Sequence, residues 1–189
     1  MFSNVKIFSV LEFIINITCL MLNVESQMSN VIIDLTYVSF SELLLRLGLA
    51  MLFGLLLGLE RESKDKPIEF RAYMIVAVST CMIAILSQEL YSDFSTAENV
   101  ISLDLAKIIS GVLTGIGFLG AGAIIHGSGN TVVGTATGAS IWASGGIGLA
   151  LGYGFYGLAT ITFLYIGSIL LIGGFLMPKL TGRNDNGDV

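Results

Sequence analysis

The chain has 189 residues, of which 54% are hydrophobic, 12% are charged and 23 are glycine, and its formal net charge is −5. A soluble domain carries charge on about a quarter of its residues, so this composition excludes a water-facing globule. The two prolines exclude a collagen-like chain, and the negative balance gives no basis for nucleic-acid binding.

Ile7 to Leu22 is apolar but carries Glu12 and Asn16, with Lys6 ahead of it. It reads as an extra membrane helix, as an interfacial helix or, if translation starts at Met28, as a dispensable extension. The lack of a small-residue cleavage site after Leu22 disfavours a signal peptide. Residues 1–39 are therefore set apart from a transmembrane domain at 40–177 and a short tail at 178–189.

A helix that crosses a bilayer needs about 20 mostly apolar residues. Five segments meet this, from Phe40 to Leu59, Ala72 to Leu90, Leu105 to Ile125, Val132 to Leu151 and Phe155 to Met177. The expected fold is thus an all-α polytopic transmembrane helical bundle of about five spans. The loop from Glu60 to Arg71 holds Arg61, Lys64, Lys66 and Arg71, whereas Glu89, Asp93, Glu98 and Asp104 follow the second span. By the positive-inside rule the basic loop and the C-terminus face the cytoplasm.

The first span carries Arg46, Ala50, Gly54 and Gly58 at intervals of four, along one helix face. Gly54 and Gly58 form a pair that admits a second backbone closely. Arg46 lies near the outer boundary, about 21 Å along a helix from Glu60. It either snorkels to the headgroups or serves as a functional charge. Cys19 and Cys81 sit in apolar surroundings and read as buried free thiols.

The third span contains Gly115-Ile116-Gly117-Phe118-Leu119-Gly120, a literal match to the dinucleotide fingerprint G-x-G-x-x-G. That fingerprint needs a strand before it and a carboxylate about 20 residues on; here the flanks are apolar and the next carboxylate is Asp185. Gly111, Gly115, Gly117, Gly120 and Gly122 are expected to thin the helix for packing or to expose backbone where a cavity is lined, and Ser110 and Thr114 to add an interhelical hydrogen bond. In the fourth span Gly134, Gly138 and Trp142 share one face, and Thr137, Ser140 and Ser144 another. Thr114, Thr137, Ser140 and Ser144 are candidates for a polar pathway. His126, the one histidine, falls in the short turn between these spans and reads as a surface residue. No metal-ligand spacing, phosphate loop or paired intramembrane carboxylate stands out, so neither a cofactor nor autonomous catalysis is expected.

Four ordered motifs resemble the MgtC/SapB family of bacterial inner-membrane proteins across roughly Glu42 to Met177. The exit of the first span, Gly58-Leu59-Glu60-Arg61-Glu62, resembles the family's Gly-Leu-Glu-Arg-Glu. Phe70-Arg71-Ala72-Tyr73 falls where Leu-Arg-Thr-His is usual, Ser110-Gly111 and Gly115 to Gly122 match the glycine-rich helix, and Gly134 through Trp142 matches the stretch ending in Leu-Trp. Tyr73 stands in place of the usual histidine, Thr135 and Ala136 in place of Leu-Thr, and His126 where arginine is common. The chain stops soon after the fifth span, without the cytoplasmic C-terminal domain of longer members, so regulation through that domain is not implied.

The resemblance implies a bacterial inner-membrane location, with support of growth under low magnesium and a link to virulence. It also implies action on a membrane partner such as the ATP synthase. On this reading the protein is a non-enzymatic factor in magnesium homeostasis, with Glu60, Arg61, Arg71 and Arg46 as its functional charges. The alternative is a transporter or channel subunit for Mg²⁺ or another small solute. Besides the lipid bilayer, the small-residue faces suggest a homo-oligomer.

Overall fold

The computed structural model describes residues 12, 15–16, 19, 37–62, 69–96, 104–126 and 132–181. The chain divides into two compact units, Met1–Leu35 and Thr36–Val189. In the first, Glu12, Ile15, Asn16 and Cys19 are helical and exposed. The choice between a membrane helix and a dispensable extension, and a start at Met28, lie outside the described residues. Of the two thiols expected to be buried, Cys81 is and Cys19 is not.

The described residues of the second unit form five helices: α1 (Phe40–Glu62), α2 (Phe70–Thr96), α3 (Leu105–Gly122), α4 (Thr135–Gly152) and α5 (Tyr156–Thr181). They alternate in direction. Gly54 of α1 meets Tyr73 and Met74 while Gly58 meets Phe70, so α1 and α2 are antiparallel. Tyr73 pairs with Ser140 and Ala77 meets Gly148, so α2 and α4 run parallel. The result is an all-α helical bundle.

The helix ends follow from local chemistry. Ser39 accepts a hydrogen bond from the Glu42 N–H (3.4 Å), the Ser-x-x-Glu arrangement that opens a helix. Asp104 caps α3 by accepting from the N–H groups of Ala106 and Lys107. Gly154, at φ 81°, ends α4 and lets the Phe155 N–H bond back to the Ala150 carbonyl (2.8 Å).

Between α3 and α4 the structure departs from the expected boundaries. The third span stops at Gly122, not Ile125, and the fourth begins at Thr135, not Val132. An antiparallel hairpin intervenes, β1 (Ile125–His126) and β2 (Val132–Val133), with Ile125 opposite Val133. Gly134 is the cause. Its φ of 95° is left-handed, and a Cβ there would strike the Ala123 carbonyl, so the chain turns instead of continuing as helix.

Four of the helices, α1, α2, α3 and α5, are long and apolar enough to cross a membrane by length and composition. α4 falls short because glycine, serine and threonine dilute its leucines and isoleucines. It is nevertheless the innermost helix, packed against the other four. Eleven of its eighteen residues are buried, against two of eighteen in α3. The core around it joins Ala50 and Leu57 of α1, Tyr73, Ala77, Cys81 and Ile85 of α2, Ile116 of α3, and Ile141, Ile147 and Leu151 of α4.

Candidate functional site

Arg46 sits nearly two turns inside α1, at the end of the bundle where α2 and α4 finish and α5 begins. Its residue is only 5% exposed. The guanidinium does not snorkel; its donors are spent inside the protein. Nη1 donates to the Gly152 carbonyl (2.5 Å) and to Gln88 Oε1 (2.9 Å), and Nη2 to Glu42 Oε1 (2.5 Å). Nε donates to Glu42 Oε1 (3.2 Å) and Tyr156 Oη (3.3 Å), and Tyr156 in turn donates to Glu42 (3.3 Å). Insertion of an arginine into a membrane helix costs about 2.5–3.5 kcal/mol, and charge-assisted bonds of this kind contribute about 1.5–3 kcal/mol each. Satisfaction in place therefore outweighs the insertion cost. The cluster fixes four helices to one another at a single side chain.

The same end carries a second set of polar contacts. Glu89 accepts from the N–H groups of Tyr37 (3.0 and 3.1 Å) and Val38 (2.8 Å), which anchors the entry to α1. Ser87 Oγ donates to the Ala84 carbonyl (2.8 Å), leaving the Tyr153 hydroxyl as the donor in their 2.9 Å contact. Of these partners only Glu42 could be paired with Arg46 from the sequence, through its i,i+4 spacing. Gln88 and Tyr156 lie 42 and 110 positions away, with no local signal.

The candidate pathway hydroxyls do not converge. Thr137, Ser140 and Ser144 are buried on the α2-facing side of α4. Ser144 donates to the Tyr73 carbonyl (2.9 Å). Ser140 donates to the Thr137 carbonyl (3.0 Å), so the Tyr73 hydroxyl donates to Ser140 Oγ (3.1 Å). Tyr73 is fully buried. Thr114 lies elsewhere, on the exposed side of α3, and bonds the Ser110 carbonyl of its own helix (2.7 Å) rather than another helix. It lines an open groove of about 540 Å³ with Ala106, Ile109, Ser110, Leu113 and Trp142.

The glycines divide in the same way. A Cβ on Gly54 would come 2.8 Å from the Tyr73 carbonyl, and one on Gly58 2.7 Å from Phe70 Cα. Gly120 and Gly138 face each other, each Cβ position within 2.9 Å of the other's carbonyl oxygen. These three expected packing glycines, Gly54, Gly58 and Gly120, bring backbones together as their spacing suggests. Gly134 acts through its backbone angle instead. Among the described residues, a Cβ on Gly111, Gly115, Gly117 or Gly122 would meet nothing within 4 Å, so these four bring no described helices together. Trp142, expected among the packing residues, is 47% exposed in the α3–α4 groove.

At the opposite end, Arg61 is buried and its guanidinium grips the carboxylate of its neighbour Glu60 through Nε (2.6 Å) and Nη2 (3.1 Å). Arg71 pairs with Glu69 (2.9 Å) with its side chain 70% exposed. Arg46 is nearly the length of α1 away, so the four expected functional charges form no single cluster. Among the described residues no group of three or more His, Cys, Asp or Glu side chains is arranged to hold a metal ion.

A model of the MgtC family matches residues 47–177 of this chain. Protein SapB of Bacillus subtilis is 38% identical over 125 residues, which are 66% of this chain and 53% of SapB. A protein of Escherichia coli K12 named putative magnesium transporter YhiD is 33% identical over 118 residues, 62% of this chain and 54% of that one. Protein MgtC of Salmonella typhimurium is 32% identical over 130 residues, 68% of this chain and 52% of that one. The chain thus matches about half the length of each of these relatives. No solved structure matches it.

Proposed function

The chain belongs to the MgtC family, and from that premise we propose that it is a non-enzymatic membrane protein that supports magnesium homeostasis by acting on a membrane partner. The observation that carries this reading is the fate of the α4 hydroxyls. A path for a divalent cation needs oxygen ligands that face a wet cavity. Ser140 and Ser144 instead spend their hydroxyls on Tyr73 and the α4 backbone. Helices packed so closely are suited to present a fixed surface to another protein, and the exposed glycine face of α3 is available for that purpose. The ATP synthase is the partner that the family resemblance suggests, and a second copy of the chain is the other.

The same reading puts the protein in the bacterial inner membrane with Glu60, Arg61, Arg71 and the C-terminus on the cytoplasmic side. There the Glu60–Arg61 pair orders the exit of α1 and the exposed Arg71 offers a docking charge. Transport of Mg²⁺ or another small solute is a second reading, favoured by the magnesium-transporter name of the E. coli relative. Growth of cells in low magnesium, at matched protein levels, tests the first. Glu60→Gln and Arg71→Gln are each expected to slow growth without loss of the protein from the membrane. If both variants grew like the parent, the charged end would have no part in the function.

A further inference from the structure

A second cavity, of about 500 Å³, opens at the Arg46 end of the bundle, apart from the α3–α4 groove. Its lining comes from four separate places in the chain: Tyr37 ahead of α1, Gln88, Tyr91 and Ser92 of α2, Leu105 at the start of α3, and Tyr153 and Phe155 from the α4–α5 link. Four of these seven residues are aromatic and none is charged. Tyr37, Tyr91 and Phe155 are all exposed. An interfacial belt would scatter such residues around the bundle; here they gather from distant positions around one hollow of ligand size.

The hollow is held open by bonds already described. Glu89 fixes Tyr37 through two backbone N–H groups, Ser87 holds the Tyr153 hydroxyl, and Gly154 sets the turn that carries Tyr153 and Phe155. Gln88 is shared with Arg46, and its Nε2 donates to the Tyr153 carbonyl (3.4 Å). Arg46 lies behind this wall, donating to Gln88 Oε1, and its charge is balanced by its ion pair with Glu42. Carboxylates adjoin the lining residues in the chain, Glu89 next to Gln88 and Asp104 next to Leu105, although neither is part of the lining. Aromatic faces attract a weakly hydrated cation, most strongly one that sheds its water on entry.

We propose that this cavity binds a quaternary or other alkylated ammonium group. The aromatic rings would surround its methyl groups. The chemistry is shared by a free organic cation and by the choline headgroup of a lipid. The proposal is independent of the magnesium reading, and neither stands or falls with the other.

The test uses the full-length protein in phosphatidylglycerol nanodiscs, titrated calorimetrically with choline and with its neutral tert-butyl isostere. Saturable choline binding is expected, with the isostere about tenfold weaker. Tyr91→Leu and Phe155→Leu should each weaken choline binding by about three- to thirtyfold, while Tyr91→Phe should retain it. Both positions are exposed, so the replacements leave the core intact. In phosphatidylcholine nanodiscs, loss of the choline signal would identify a lipid headgroup as the occupant, and an unchanged signal a free cation. Absence of saturable binding in phosphatidylglycerol, equal affinity for the isostere, or leucine variants that bind like the parent would each overturn the proposal.

Discussion

α3 and α4 are both eighteen residues long, both rich in glycine and hydroxyls, and antiparallel neighbours, yet the bundle uses them in opposite ways. In α4 the glycines other than Gly146 are contacts. Gly138 meets Gly120, Gly145 meets Ile116 and Val76, Gly148 meets Ala77 and Thr80, and Gly152 meets Cys81 and Ala84. In α3 only Gly120 does this, and Gly111, Gly115, Gly117 and Gly122 look outward with Phe118, which is 81% exposed. Small-residue spacing thus marks a face fit for close approach without saying whether the partner is in the same chain. In α4 the partner is internal. In α3 the other described helices leave the face uncovered.

The comparison can be broken most severely at the α3–α4 crossing. Gly138→Leu would push a side chain into the Gly120 backbone, which cannot swing aside, and should cost about 3 kcal/mol or more, read as a collapse of the unfolding midpoint in detergent. Arg46→Ala comes next. Loss of a fully buried ion pair costs about 3–5 kcal/mol, but the Glu42 side chain is 40% exposed, so about 2–3 kcal/mol is expected here. Ser144→Ala removes only the bond to the Tyr73 carbonyl and should cost about 0.6 kcal/mol, as interhelical hydrogen bonds in membranes do on average. Gly115→Ala is expected to change stability by less than about 0.5 kcal/mol, because among the described residues no other element lies within 4 Å of the added methyl group. A large loss at Gly115 in the same assay would mean that the open face of α3 is occupied in the purified protein, and cross-linking from that position would then identify a second copy.

Membrane insertion and the order of helices were legible from composition and run length, because the bilayer demands long apolar segments whatever they pack against. The face that joins Arg46, Ala50, Gly54 and Gly58 was legible too, and all four are buried as one stripe. The α3–α4 link was not, since a hydrophobic Ile125-His126 and Val132-Val133 read as helix until the left-handed angle at Gly134 is known. The setting of Arg46 was visible only in part. Its carboxylate lies one turn back, while Gln88, Gly152 and Tyr156 arrive through tertiary packing that no spacing announces. Thr137, Ser140 and Ser144 were correctly grouped on one side of α4, but sequence periodicity could not tell a hydrated path from a hydrogen-bonded seam.

That last distinction carries the functional account, and Mg²⁺ entry into proteoliposomes that contain only this protein, read with an internal magnesium dye, tests it most directly. With folded and inserted protein, entry should not exceed that of protein-free vesicles, and Thr137→Val and Ser140→Ala should leave it unchanged. Protein-dependent Mg²⁺ entry that either replacement abolishes would contradict the account and make the α4 hydroxyls part of a transport path.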